Sequence, residues 1–138
     1  MEHRFFQTLH PDARAIREEV FMREQGFREE FDKADDYAEC MVLYDGETPA
    51  ATGRLYPLDT PGEYLLGRIA VRRAYRGRQL GAQVVAILEA RAREHGARQT
   101  VISAQCRARG FYEKQGYHAE GEPYLEEFCP HIRMKKSL

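Results

Sequence analysis

The sequence predicts a mixed α/β fold of the α+β type, and three observations point there. Strand-like and helix-like segments are interleaved along the chain rather than gathered into blocks. One amphipathic helix, with Leu80, Val84, Ile87 and Leu88 on a single face, lies between two strand-like segments. An Asp45-Gly46 turn joins two further strand candidates as a hairpin.

In chain order, Glu2 to Leu9 is a short strand candidate. Pro11 and Asp12 open a helix in which Ile16, Val20 and Phe21 recur at helical spacing. The acidic stretch Arg28 to Asp36 reads as a second short helix or a loop. Cys40 to Tyr44 and Ala50 to Tyr56 form the hairpin, and Pro57 to Gly62 is a loop. Tyr64 to Val71 is the next strand, where Gly67 marks a bulge or a close approach by a ligand. The long helix then runs to a stop at Gly96. Thr100 to Ala104, β-branched and apolar, is a buried strand. Ala108 to Gln115 is a short helix closed by Gly116, and strand returns at Tyr117 and at Ile132 to Lys135. The unit from Tyr64 to Ala104 predicts a right-handed crossover between parallel strands.

With 138 residues the chain suits one domain, 1–138, large enough to bury a core without staples. A hydrophobic share of 43% and a charged share of 31% exclude the disordered and membrane classes. No apolar run approaches the ~20 residues of a membrane helix, and Met1 to Leu9 lacks the pattern of a signal peptide. Cys40, Cys106 and Cys129 are scattered, which argues against a disulfide framework or a zinc site and for reduced thiols in a cytoplasmic protein. A net charge of −1, a short basic run and the lack of a binding motif argue against a nucleic-acid partner. Charge is nevertheless uneven: residues 1–45 hold 12 acids against 6 basic residues, and residues 46–138 hold 10 against 15. Arg68, Arg72, Arg73, Arg76 and Arg78 form the densest basic stretch, a local site for anions.

Two segments carry chemistry. Val71 to Ala82, VRRAYRGRQLGA, leaves a strand, passes through arginines and a glycine, and enters the long helix. Free amides and the helix dipole suit that terminus to a phosphate or pyrophosphate. Gly77 and Gly81 keep side chains out of the way. A turn with arginines for solubility is the plainer reading. Neither a P-loop lysine nor GxGxxG is present. The second segment is GFYEKQGY, Gly110 to Tyr117. Its Tyr112 is either core with a hydroxyl at the edge, or it faces the gap between the parallel strands and gives a proton to a leaving thiolate.

Taken together and in order, R-G-R-x-L-G-A, an amphipathic helix, a strand and FYEKxGY resemble the GNAT superfamily of N-acetyltransferases. VFMREQGF, GRIAV, SAQ and CPHIRMKK extend the likeness to small single-domain bacterial members over nearly the whole chain. The resemblance implies a mixed sheet, splayed open in the middle and flanked by helices, with acetyl-CoA in the cleft and no metal. It implies direct acetyl transfer to the amine of a small molecule; a CoA-binding sensor without catalysis is the alternative. It leaves a homodimer open.

Residue by residue, the resemblance assigns the pantetheine arm to Ile69, Ala70 and Val71. It assigns the pyrophosphate to Arg76, Gly77, Arg78, Gln79, Leu80, Gly81 and Ala82. Tyr112 is the acid for the CoA thiolate and contacts the cofactor. His131, in a P-H-x-x-M context, is the candidate base or only the cap of the last strand, with Glu24 and Glu39 behind it. Arg17 and Arg68 line the acceptor pocket, which then takes an amine bearing a carboxylate or phosphate; if they do not face the cleft, the acidic first half favours a cationic amine. Gln79 stands where the family motif has its middle glycine, and Cys40 where many similar sequences have a histidine.

Overall fold

A computed structural model describes residues 1–138. Seven strands form one sheet: β1 (Glu2–Phe6), β2 (Glu39–Asp45), β3 (Thr48–Pro57), β4 (Glu63–Val71), β5 (Gln99–Gln105), β6 (His118–Glu126) and β7 (Cys129–Ser137). The spatial order is β1-β2-β3-β4-β5-β7-β6. Every neighbouring pair is antiparallel except β4 and β5, which run parallel as expected for the two ends of a crossover.

Helix α1 (Pro11–Arg17) starts with Pro11 in its first turn, and His10 caps it by accepting the Asp12 N–H at 3.1 Å. It continues without a break into a π-helical segment, Glu18–Glu24. Helix α2 (Leu80–Glu94) ends where Gly96 takes a φ of 90° and Ala97 and Gly96 donate to the carbonyls of Ala92 and Arg93, both at 2.9 Å. A short helix, α3 (Arg109–Lys114), closes at Gly116. The acidic stretch folds as one 3₁₀ turn, Lys33–Asp36, braced by a capping box between Asp32 and Asp35.

Alternation along β2 explains how both faces of the sheet are covered. Cys40, Val42 and Tyr44 meet Ala13, Ile16, Val20 and Phe21 of the first helical segment. Met41 and Leu43 point the other way, into the core shared with Leu80, Val84, Val85 and Leu88 of α2. Gly53 on β3 permits that contact, since a Cβ there would lie 2.7 Å from a Leu88 methyl. All three cysteines are free thiols, and burial pushes those of Cys40 and Cys129 up, away from the reactive thiolate. No helix is long and apolar enough to cross a membrane.

Candidate active site

Parallel pairing between β4 and β5 lasts three residues, Glu63↔Gln99 to Leu65↔Val101, and then stops. The cause lies on the far edge of β4. Arg54 pairs with Gly67 and Thr52 with Ala70, so Arg68 and Ile69 together oppose Gly53. This bulge bends the strand, and Arg68 takes a left-handed φ of 48° to make it. The bulge hinted at by Gly67 therefore falls one residue later. Past Leu65 the two strands separate around a cavity of about 970 Å³, into which β4, β5 and α3 all project residues. The sheet is splayed in the middle, as the resemblance implied.

From Leu66 to Val71 the β4 edge facing this cavity has no strand partner. Ile69, Ala70 and Val71 all line it. Backbone groups on such an edge need a partner, and an extended ligand is the natural one. The Val71 carbonyl already accepts from Arg76 Nε at 3.0 Å.

The chain then turns through Arg73–Tyr75 and enters α2. Gln79 precedes the helix with φ 60° and ψ 25° and offers no side-chain cap. That left-handed geometry explains the glycine of the family motif; a glutamine there costs roughly 1–2 kcal/mol. The first intrahelical bond runs from Gln83 N–H to the Gln79 carbonyl at 3.2 Å. The amides of Leu80, Gly81 and Ala82 are consequently left without partners at the positive end of a 15-residue helix. Gly77, Arg78 and Gln79 are exposed, whereas Leu80 is buried. A Cβ on Gly81 would sit 3.2 Å from the Phe111 ring, which lines the cavity together with Arg76, whereas Gly77 to Ala82 themselves lie outside its lining.

The arginines contribute less free charge than their number suggests. Arg68 stands 2.9 Å from Glu30, Arg72 3.1 Å from Glu19, Arg76 2.9 Å from Glu24, and Arg73 3.6 Å from Glu24. Of the five, Arg78 alone has no acid partner and lies over the Tyr75 ring. An anion at this terminus would therefore meet the free α2 amides rather than an excess of cations. Acids from the first 45 residues answer these arginines, which accounts for the charge imbalance seen in the sequence.

Tyr112 on α3 lines the cavity with 9% of its surface exposed, and its hydroxyl has no hydrogen-bond partner in the protein. Burial pushes that hydroxyl up to about 12, so it holds its proton at neutral pH. His131 also lines the cavity, but it is buried and doubly engaged. Its Nδ1 lies 2.9 Å from the Cys129 carbonyl and its Nε2 3.2 Å from Glu126 Oε2. Glu24 is held by Arg76, which keeps its carboxyl low against the effect of burial. Glu39 pairs with Arg91 and His95 outside the cavity wall, so it is no candidate base.

Arg17 does not line the cavity. It is 2% exposed, with Nε 2.8 Å from Glu30 Oε2 and its two Nη atoms 2.7 and 3.0 Å from the Asp35 carboxylate. Its expected role as a pocket wall is corrected: the acids of the 28–36 stretch fold over it and leave no donor for a ligand. Arg68 does line the cavity, beside buried Arg54, and both are answered by Glu30, Asp32 and Asp35. Burial raises the Asp35 carboxyl, but Arg17 and then Arg54 outweigh it and hold it at about 2.

The sign of the pH effect follows. The unfolded chain, with a carboxyl near 3.8, takes this proton first as pH falls. The stability contributed by Asp35 is complete above that value and is lost as pH drops through about 2. Asp32, lowered by its bond to Arg54, acts in the same sense. Glu30, pushed up by burial, acts in the opposite sense at higher pH. Urea titrations at about pH 4 and about pH 2 should differ by ~2 kcal/mol in stability on this account. Asp35→Asn should start weaker and flatten that dependence.

A splayed sheet with a helix terminus and a proton-bearing phenol around the opening is the architecture of an acyltransferase. Residues 9–138 match the family described as the acetyltransferase (GNAT) domain. The chain is 38% identical over 128 residues to YjcF of Bacillus subtilis (strain 168), named an uncharacterized N-acetyltransferase, covering 91% of this chain and 90% of that protein. A crystal structure from Lactobacillus plantarum, provisionally named an N-acetyltransferase, superposes with a TM-score of 0.88 at 33% identity over 100% of this chain and 99% of that one. An aminoglycoside 6'-N-acetyltransferase crystallised with coenzyme A shares the fold alone, with a TM-score of 0.76 at 15% identity over 99% and 97% of the two chains. This chain belongs to the GNAT acetyltransferase family.

Around the cavity the structure gathers Tyr112, His131, Arg68, Ile69, Ala70, Val71 and Arg76. Sequence reasoning missed Glu126, Arg54 and the 27–32 segment. No spacing rule ties them to the site, since strand and loop ends distant in sequence bring them there.

Proposed function

We propose that residues 1–138 form one N-acetyltransferase domain, moving an acetyl group from acetyl-CoA to the amine of a small molecule in a ternary complex. The observation that carries this reading is the partnerless β4 edge from Leu66 to Val71, which lines one cavity with Arg76 and Tyr112 and is followed in the chain by the free α2 amides. The pyrophosphate fits the Arg76 to Ala82 turn, held by the Leu80, Gly81 and Ala82 amides, with Gly77, Arg78 and Gln79 at its solvent side. The pantetheine arm fits the backbone of Ile69, Ala70 and Val71, where a strand N–H also bonds the thioester oxygen as it gains charge. The amine nitrogen attacks the thioester carbon, the C–S bond breaks, and the sulfur takes the Tyr112 proton.

The acceptor favoured is a cationic amine rather than one bearing a carboxylate or phosphate. Arg17 is outside the cavity, and the charge of Arg68 is already answered. Glu29, Glu126 and Glu127 line the cavity without a lysine or arginine side chain paired to them, Glu127 being held by the Arg28 and Glu29 amides. Tyr112→Phe tests the mechanism: turnover should fall about 10²-fold with affinity for CoA unchanged. A variant with wild-type turnover in thiol-release kinetics would remove the acid role. If the chain were instead a CoA-binding sensor, no amine would release thiol from either protein.

A further inference from the structure

We infer that Glu126, and not His131, is the proton acceptor for the incoming amine, with His131 as its positioning partner. The inference rests on the transfer reaction proposed above. His131 is 5% exposed, and its Nδ1 is occupied by the Cys129 carbonyl at 2.9 Å. Its remaining nitrogen, Nε2, is covered by Glu126 Oε2 at 3.2 Å. A proton leaving an amine in the cavity therefore meets a carboxylate oxygen before it meets the imidazole.

Glu126 has what a proton acceptor needs. It lines the cavity, yet its side chain keeps 41% of its surface in solvent, so a proton taken inside can be passed to water. Three strands fix it. From β5, Ser103 Oγ donates to Oε1 at 2.9 Å. From β6 itself, Tyr124 is hydrogen-bonded to that same Ser103 hydroxyl. From β7, His131 sits on Oε2. Each carboxylate oxygen accepts at two lone-pair sites, so both remain able to take a further hydrogen bond. No lysine or arginine pairs with Glu126, in contrast to Glu24 and Glu39, each tied up by an arginine.

The step balances. An ammonium N–H bond breaks, its proton goes to Glu126, and the freed lone pair attacks the thioester carbon. Glu126 then loses that proton to bulk water; as the C–S bond breaks Tyr112 gives its proton to the sulfur, and the second proton that the nitrogen sheds in becoming an amide restores the Tyr112 hydroxyl. The titratable or charged groups facing this corner are His131 and Cys129 from β7, Cys106 and Arg107 from the turn after β5, Tyr124 of β6, and Glu127.

The test uses the full chain with acetyl-CoA and an amine it acetylates. Glu126→Gln should lower kcat about 10²-fold, leave the Kd for CoA unchanged, and remove the acid-side limb of the pH–rate profile. Glu126→Asp should recover part of the rate and the limb. His131→Gln should cost less, about 10-fold, and keep the limb at a displaced position. A Glu126→Gln enzyme that keeps the limb and a rate within about threefold of wild type overturns the inference, as does a His131→Gln enzyme that loses the limb. A readout free of turnover is the ¹⁵N resonance of His131 Nε2. It should move on Glu126→Gln, and a resonance indifferent to that change overturns the pairing. Lack of acetyl transfer by the wild type to any amine would instead count against the proposed reaction.

Discussion

Gly81→Glu should lower affinity for coenzyme A by at least about 10³-fold, more than ~4 kcal/mol, while leaving the fold intact. Gly81 is the second residue of α2, where the amide is free and a side chain would start 3.2 Å from the Phe111 ring. A glutamate here places bulk and negative charge where a pyrophosphate would lie, so sterics and Coulomb repulsion act together. The same acid suits the first turn of a helix, favoured there by ~0.3–1 kcal/mol through the dipole. The ring edge needs to give way by only a few tenths of an ångström. Calorimetric titration should therefore show heat with the wild type and none with the variant, while the melting temperature of the ligand-free variant stays close to wild type. Affinity within about threefold of wild type would remove the α2 amides from the site.

Arg17→Ala should destabilise the protein by about 3–5 kcal/mol, because it removes one of two arginine partners from each of two desolvated carboxylates, Arg68 remaining on Glu30 and Arg54 on Asp35. Glu30 is 4% exposed, and Asp35 keeps 10% of its side chain in solvent. Removing the guanidinium deletes the Nε contact to Glu30 and the bidentate contact to Asp35 at once. Glu30, already raised by desolvation, loses one of the three arginines, Arg68, Arg17 and Arg54, that oppose burial. For a chain of this length the melting point should fall by about 10–15 °C. A drop below about 2 °C would show that Arg17 is not the keystone of the network. The same variant reports on function: an arginine that held substrate would change KM far more than stability, whereas this one should do the reverse.

Much of the fold was legible because period and turn chemistry were unambiguous. The alternation Cys40 to Tyr44, the Asp45-Gly46 turn, the single apolar face of α2 and its stop at Gly96 all carry local signals that tertiary packing reinforces. The β4 bulge was legible in part. Gly67 drew attention to the right strand, but the residue that adopts the left-handed geometry is Arg68, held there by Glu30 and Asp32. Sequence alone gives no reason to place an arginine at positive φ.

The site divided along the same line. The Arg76 to Ala82 turn and Tyr112, on which the proposed site rests, can be read from the chain because helix termini and short motifs are contiguous in it. Arg17 was misplaced because nothing local distinguishes an arginine that lines a pocket from one neutralised by acids 13 and 18 residues away. Glu126 was invisible for a related reason. Its importance comes from Ser103 and His131, supplied by two other strands, and the pairing of β5, β6 and β7 is what brings the three together.

Acetyl transfer to an amine within the splayed cleft can be followed directly. The most direct measurement mixes the protein with acetyl-CoA and a panel of cationic and anionic amines, following free CoA thiol and the mass of each amine. Thiol release that depends on an amine, strongest with cationic acceptors and matched by acetylation of that amine, is the predicted result. Tight binding of acetyl-CoA with no amine-dependent release across the panel would contradict it.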